Sequence, residues 1–488
     1  MKQVSKDQFA SNALWKFTEI IVRKVIALVI STILARLLAP EAYGVVALTT
    51  VFITFSDIFI LNGFNVAIIR KDKVDEEDYS TVMILSLAFS AVVYSILFFA
   101  APALSVFYKS PELMNVLRVI TVLIFFQSVA TVIRAKATRE LKFKQMSFVA
   151  IIGNVSASIV ALIMAYAGMG VWALVVQQVL ANFLDMVLLT LVFKWKYTWR
   201  FSKEKAGEML KFTLGVLGAS FLDFLGNNAN SLVIGRAFNT SELAYYNRGN
   251  MYPETISLNT YNSINSILLP TLSSRQNDIE EMKKVVRRVV SITEYIILPM
   301  MIGLIAISDR FVSVLLTHKW DACVPVMICA CLYYSINPIR AIGYNVFYAR
   351  GESKRNVKIE MARSIIMITT LVIVIILLKQ SIYVLAASNV VIALLVALFT
   401  QHQVNKCIGY KYRELLVDIL PALVMSLIMG AIVKGISLFT RESAVVFIVQ
   451  LLVGVCSYVL MSAISKNENY KFIKNYALNR LPKRKKHE

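Results

Sequence analysis

Apolar residues recur in runs of about 20, broken by short polar stretches, along almost the entire 488-residue chain. A helix rising about 1.5 Å per residue needs about 20 such residues to cross a hydrocarbon core about 30 Å thick. Runs at 19–38, 44–69, 80–107, 114–133, 147–167 and 171–193 meet that length, and a basic stretch from Lys194 to Lys211 follows. Further runs lie at 212–235, 248–269, 289–307, 323–348, 365–378 and 382–401, then at 416–436 and 444–464. The run at 365–378 is short and predicts a helix that starts further back, toward Met361. The pattern predicts an all-α polytopic membrane protein of about fourteen transmembrane helices, because only internally hydrogen-bonded segments cross a bilayer.

Composition agrees. Hydrophobic residues make up 58% of the chain and charged ones 17%, against about half and about a quarter in soluble domains. The net charge of +21 suggests nucleic acid only while its placement is ignored. With a cytoplasmic N-terminus, the inside segments hold 37 of the 51 Lys and Arg residues, the outside ones 10, and the connection at 167–170 none. That bias sets topology, and its alternation to the end of the chain places both termini in the cytoplasm. Five cysteines and three histidines show no metal-ligand spacing. Lys16, Glu19, Arg23 and Lys24 interrupt the first run, which therefore reads as an uncleaved anchor rather than a signal peptide. The basic tail, with Lys483-Arg484-Lys485-Lys486, is a topogenic anchor or a site for anionic lipid.

The chain also echoes itself. Lys16-Phe17-Thr18 opens the first run and Lys211-Phe212-Thr213 the seventh. Arg36 with Pro40-Glu41-Ala42-Tyr43-Gly44 closes the first, and Arg236 with Ser241-Glu242-Leu243-Ala244-Tyr245-Tyr246 the seventh. The offset spans six helices, and an even number preserves orientation. Two parallel six-helix lobes follow, at 1–193 and 212–405, joined by a linker at 194–211. Two additional helices at 406–465 and a basic tail at 466–488 complete the chain. The interface of such repeats is the expected substrate path.

An ionisable side chain at bilayer depth costs about 2.5–3.5 kcal/mol on insertion scales and tends to face a partner or water. Asp57 lies in the middle of the second run, on a face with Thr50, Thr54 and Asn65. Asp223, Asn227, Asn230 and Ser231 form a stripe in the seventh run, and Asn247, Asn250, Glu254, Ser257 and Asn265 one in the eighth. Arg340 is deep in the tenth, two residues after Pro338, a kinking residue. Against function stand snorkelling of Arg23 and Lys24 to the interface and helix-to-helix hydrogen bonding by the asparagines. Polar and cationic linings suit an amphiphilic anionic substrate. No Gly-rich P-loop is present, so the expected protein is a transporter rather than an ATP-hydrolysing enzyme.

Several stretches carry a resemblance. They are Leu37-Leu38-Ala39-Pro40-Glu41-Ala42-Tyr43-Gly44, Gly63-Phe64-Asn65-Val66-Ala67-Ile68-Ile69-Arg70-Lys71 and Arg139-Glu140-Leu141-Lys142-Phe143. Gly170-Val171-Trp172-Ala173-Leu174-Val175-Val176-Gln177-Gln178, Val233-Ile234-Gly235-Arg236, Ala244-Tyr245-Tyr246-Asn247-Arg248 and Leu269-Pro270 follow. In this order the chain resembles the polysaccharide transporters, the lipid-linked oligosaccharide flippases of the superfamily that contains multidrug exporters. The resemblance implies two six-helix lobes around a central cavity with two C-terminal helices appended. It also implies transfer of undecaprenyl-pyrophosphate-linked repeat units to the outer leaflet of the bacterial plasma membrane. Arg23, Lys24, Arg248 and Arg340, with Asn227 and Asn250, are then the candidate substrate-binding residues. Asp57, Asp223 and Glu254 are the candidate sites for coupling to H+ or Na+, and no metal or other cofactor is expected. Partners would be the lipid-linked substrate, membrane lipids and the polysaccharide polymerase and chain-length proteins, not nucleic acid. Relatives often carry an acid where this chain has Asn230, which puts coupling there in doubt. The alternatives are a cation-coupled multidrug exporter and a peptidoglycan lipid precursor flippase.

Overall fold

The computed structural model describes residues 26–71, 73–378, 380–439 and 443–480, all of whose regular elements are helices. Each of the fourteen expected spans coincides with a helix. They are α1 (Ile26–Leu37), α2 (Pro40–Asp57), α3 (Glu76–Phe107), α4 (Glu112–Arg139), α5 (Phe143–Tyr166), α6 (Val171–Val192) and α7 (Lys203–Ala237). Then come α8 (Thr240–Ser273), α9 (Ile279–Leu315), α10 (Val324–Ala349), α11 (Ser353–Leu371), α12 (Ile382–Ile408), α13 (Tyr412–Phe439) and α14 (Ala444–Ile464). A final helix, α15 (Glu468–Arg480), lies in the tail. Among the described residues ten helices are long and apolar enough to cross a membrane, which makes the chain a multi-pass membrane protein. Of the remaining four, α7 and α8 carry polar stripes and α11 a charged opening, which lower their hydropathy. The eleventh helix starts at Ser353, earlier than the apolar run suggests, because its first turns carry Lys354, Arg355 and Lys358.

Side chains start the helices as their sequences require. Asp75 accepts from the Asp78 amide at 2.8 Å while Asp78 accepts from the Asp75 amide at 3.0 Å, a reciprocal cap for α3. Ser202, Asp278 and Ser443 cap α7, α9 and α14. Gly409, at φ +69°, ends α12 in the left-handed region that a glycine enters without strain.

The chain divides into two compact units, Met1–Ala244 and Tyr245–Glu488, the boundary falling inside α8. In the first unit α5 packs on α6, α4 on α3 and α6, and α7 runs along α2. The start of α8 presses on the start of α2. A Cβ on Gly44 would lie 1.8 Å from the Thr240 carbonyl oxygen, and the Ser241 hydroxyl donates to Glu41 at 2.6 Å. The two stretches that echo each other in sequence thus touch. In the second unit the most extensive pairs are α9 with α13 and α10 with α12. Arg287 on α9 forks onto Asp418 of α13 at 2.9 and 2.8 Å, fixing the register of that pair.

An ion-pair cluster ties α7 to the start of α3. Lys205 Nζ reaches Asp75 at 2.7 Å and Glu77 at 2.7 Å. The hydrogen bonds from Lys205, then that from the Asp78 amide, hold the Asp75 carboxyl down at about 2. A depressed acid stabilises the fold above its unfolded value of about 3.9, and the contribution is lost as pH falls toward 2. Melting curves in detergent should therefore fall between pH 4 and pH 2. That fall should be smaller for Lys205→Gln, and high salt should flatten it as well, since the pair is exposed.

Candidate functional site

In the first unit the polar face of α2 is only partly available. Thr50 and Thr54 turn their hydroxyls back onto Val46 and Thr50 carbonyls at 2.8 and 2.9 Å. Asp57 stands where α2 widens into a π-helical stretch, Ile58–Asn65, before continuing as Val66–Arg70. Such widening breaks the i→i−4 ladder and is frequent at functional positions. Phe55 and Phe59 flank Asp57, Phe59 stacking on Phe89 at 4.2 Å and Phe55 meeting Phe224 at 5.6 Å. Asp57 Oδ1 and Asn65 Oδ1 are buried with no hydrogen-bond partner among the described residues. Arg23 and Lys24 lie outside the described residues. Asp223 and Asn227 fall on α7, and their side chains are outside those described.

In the second unit, α8 presents its stripe to α10. Arg248 is 5% exposed and stacks over Trp320 at 4.9 Å, in the turn before α10. Asn250 donates to the Tyr246 carbonyl one turn back, at 2.8 Å. Glu254 lies beside the Tyr334 side chain of α10. Ser257 explains part of this register. Pro338 has no N–H to give the Tyr334 carbonyl four residues earlier, and the buried Ser257 hydroxyl donates to that carbonyl at 3.1 Å. Ser257→Ala should cost about 1–3 kcal/mol by stranding a buried acceptor. In a Pro338→Ala background, where the new N–H takes the carbonyl, most of that cost should vanish in a double-mutant cycle on melting temperature.

Two turns further, Arg340 sits in a polar cluster between α10 and α11. Its Nη1 contacts Glu360 and its Nη2 and Nε share Asn337 Oδ1 at 2.5 and 3.2 Å. The Tyr344 ring lies 5.2 Å from the guanidinium. Glu360 is shared, its second oxygen accepting from Arg363 Nε at 2.5 Å. Two guanidiniums therefore stand on one carboxylate, a surplus positive charge in a half-buried cluster. The sequence pattern singled out Arg340 but not Arg363 or Glu360, which fall in the charged opening of α11.

Sequence reasoning also missed two acids within apolar runs. Asp185 of α6 accepts both arms of Arg134 at 2.6 and 3.2 Å, a bidentate pair joining α4 to α6. Glu294 of α9 is 1% exposed, and neither carboxylate oxygen has a hydrogen-bond partner among the described residues. A lone acid inside the run at 289–307 was its signal. Beside α9, the second unit carries an apolar groove of about 450 Å³, lined by Ile256, Met300, Leu304, Met429, Leu451 and Val455 among others.

Comparison with known proteins places this architecture. Among solved structures the chain is similar to the lipid II flippase MurJ in an inward closed conformation, with a TM-score of 0.73 at 15% identity, covering 93% of this chain and 98% of that one. An inward-facing MATE multidrug transporter of the MOP superfamily matches with a TM-score of 0.57 at 15% identity, covering 81% and 98%. These likenesses show the fold. In sequence it is 24% identical to the succinoglycan biosynthesis transport protein ExoT of Rhizobium meliloti, over 60% of each chain. It is 22% identical to the teichuronic acid biosynthesis protein TuaB of Bacillus subtilis, over 56% of this chain and 57% of that one. The alignments thus span less than two thirds of the length of these two relatives. The lipopolysaccharide biosynthesis protein WzxC of Escherichia coli matches at 20% identity over 88% of this chain and 89% of its own. The model of the family described as polysaccharide biosynthesis protein matches residues 33–325, well over half of the sequence, and the chain belongs to that family.

Proposed function

We propose that the protein carries undecaprenyl-pyrophosphate-linked oligosaccharide repeat units from the cytoplasmic to the outer leaflet of the bacterial plasma membrane. The observation that carries this reading is the surplus cationic cluster of Arg340, Arg363 and Glu360 inside a membrane-spanning unit that also bears an apolar groove. A pyrophosphate brings two or more negative charges, and the planar fork of arginine fits phosphate oxygens two at a time. Asn337, Tyr344 and the α8 stripe offer donors and acceptors to sugar hydroxyls, and the apolar groove suits a polyprenyl chain. In this reading the phosphate competes with Glu360 for the guanidiniums, so binding and release exchange one anion for another. Asp57, half-buried at the π-helical stretch, and the fully buried Glu294 are the candidate carriers of a coupling proton. Both termini are cytoplasmic in this arrangement. The polymerase and chain-length proteins would receive the product.

Deletion of the gene in its native host, followed by extraction of undecaprenyl-linked sugars and labelling from outside, tests the reading. Single repeat units should accumulate on the cytoplasmic side while surface polysaccharide is lost. Unchanged lipid-linked pools with normal surface polysaccharide would overturn it. Accumulation of the peptidoglycan lipid precursor instead would assign the same chemistry to that substrate.

A further inference from the structure

The basic stretch between α6 and α7 is built rather than slack. Residues 193–201 read Phe-Lys-Trp-Lys-Tyr-Thr-Trp-Arg-Phe, aromatic at every second position and basic at 194, 196 and 200. The segment leaves α6 through a left-handed residue, Lys194 at φ +47°. The Trp195 amide then donates to the Thr190 carbonyl at 3.0 Å and the Lys194 amide to Leu191 at 3.3 Å, the paired bonds of a Schellman cap. Beyond it, α3 pins the segment. Ser80 Oγ donates to the Thr198 carbonyl and accepts from the Arg200 amide, and Thr81 Oγ1 accepts from the Ser202 amide at 3.2 Å. Trp195 packs edge-on to Tyr79 at 5.9 Å, while Tyr197, Trp199 and Phe201 are 42%, 70% and 46% exposed.

This segment walls a cavity of about 370 Å³ together with the ends of α3 and α4. Four lysines line it, Lys136, Lys142, Lys194 and Lys196, against two acids, Glu76 and Glu140. Lys136 pairs with Glu76 at 2.6 Å and Lys142 with Glu140 at 2.5 Å. Those pairs leave Lys194 and Lys196, both exposed, as a net positive charge at the mouth. Large exposed rings beside a cationic hollow suit the headgroup layer, where indole and phenol rings sit between hydrocarbon and water.

We propose that this cavity binds the phosphate of an anionic membrane phospholipid, with Trp199 and its neighbouring rings seated in the headgroup layer around it. The site belongs to the first unit alone and is independent of the transported substrate. Basic pockets at helix ends on the Lys/Arg-rich side of a membrane protein take phospholipid headgroups through this chemistry.

The test is native mass spectrometry of the full chain in detergent, titrated with phosphatidylglycerol and separately with phosphatidylethanolamine. A Lys194→Asn/Lys196→Gln variant keeps a residue that tolerates the left-handed backbone. It should lose phosphatidylglycerol affinity about ten- to thirtyfold, at roughly a kilocalorie per cation, with phosphatidylethanolamine retention unchanged. Lys354→Gln/Lys358→Gln removes equal charge from exposed positions on α11 and should retain the lipid. Equal loss in both variants would overturn the proposal in favour of diffuse attraction. Displacement by inorganic phosphate would overturn it in favour of a soluble anion, as would equal retention of the two lipids. Quenching of Trp199 by phosphatidylglycerol with brominated chains, abolished in Trp199→Phe, gives a second reading; its absence would remove the ring from the lipid layer.

Discussion

Arg340→Ala yields a folded protein that has lost most of its export. The two halves of that result have separate causes. Removing one partner of a buried ion pair costs about 3–5 kcal/mol when the remaining charge is stranded. Here Glu360 keeps Arg363 at 2.5 Å, so its carboxylate stays neutralised and the loss of stability is smaller. The cluster instead loses its surplus charge. A charge-assisted hydrogen bond contributes about 1.5–3 kcal/mol, so export should fall roughly 10- to 100-fold. Arg340→Lys keeps the charge but not the fork over Asn337, and should fall between wild type and Arg340→Ala. Glu360→Gln moves the cluster the other way, leaving two cations facing a neutral amide. It should hold an anionic substrate more tightly and release it more slowly. Surface polysaccharide and the lipid-linked pool, measured at equal protein level in the membrane, read all three. Normal export from Arg340→Ala would take the cluster off the substrate path.

Gly44→Ala should unfold the first unit's α2–α8 contact. The added methyl would stand 1.8 Å from the Thr240 carbonyl oxygen and 2.4 Å from its carbon. Those are backbone atoms of the first turn of α8, so no side-chain rotation relieves the overlap. Separation of the helices would also part the Ser241–Glu41 hydrogen bond. Overpacking typically costs about 1–3 kcal/mol and more where nothing can yield, so the upper end or beyond is expected. Gly207→Ala, on α7 with open space around it, is the matched control and should be neutral or slightly stabilising. Thermal unfolding in detergent by tryptophan fluorescence compares them. An unchanged transition for Gly44→Ala would mean that the start of α8 does not press on α2.

The apolar spans were legible because the bilayer fixes both the length and the apolarity of what crosses it, and ten of the described helices meet both. A run such as 444–464 matches α14 residue for residue. The polar stripes were legible as faces, since a helical period places Glu254 and Ser257 on one side whatever surrounds them. What each polar group meets was not legible. Pairing depends on the rotation and register of helices far apart in sequence, and hydropathy is blind to both. Arg340 could be read as buried and cationic, but only the packing of α11 against α10 brings Glu360 and Arg363 to it. Arg248 could be read as a candidate ligand, but only the turn before α10 lays Trp320 over it. Gly44 could be quoted as part of a motif, but only the approach of α8 shows why a side chain has no room there. The sequence by itself determined that the chain crosses the membrane many times and which helix faces are polar. Tertiary structure decided which charges are matched and which are left over, because a charge is matched only when two helices meet at the right height and angle.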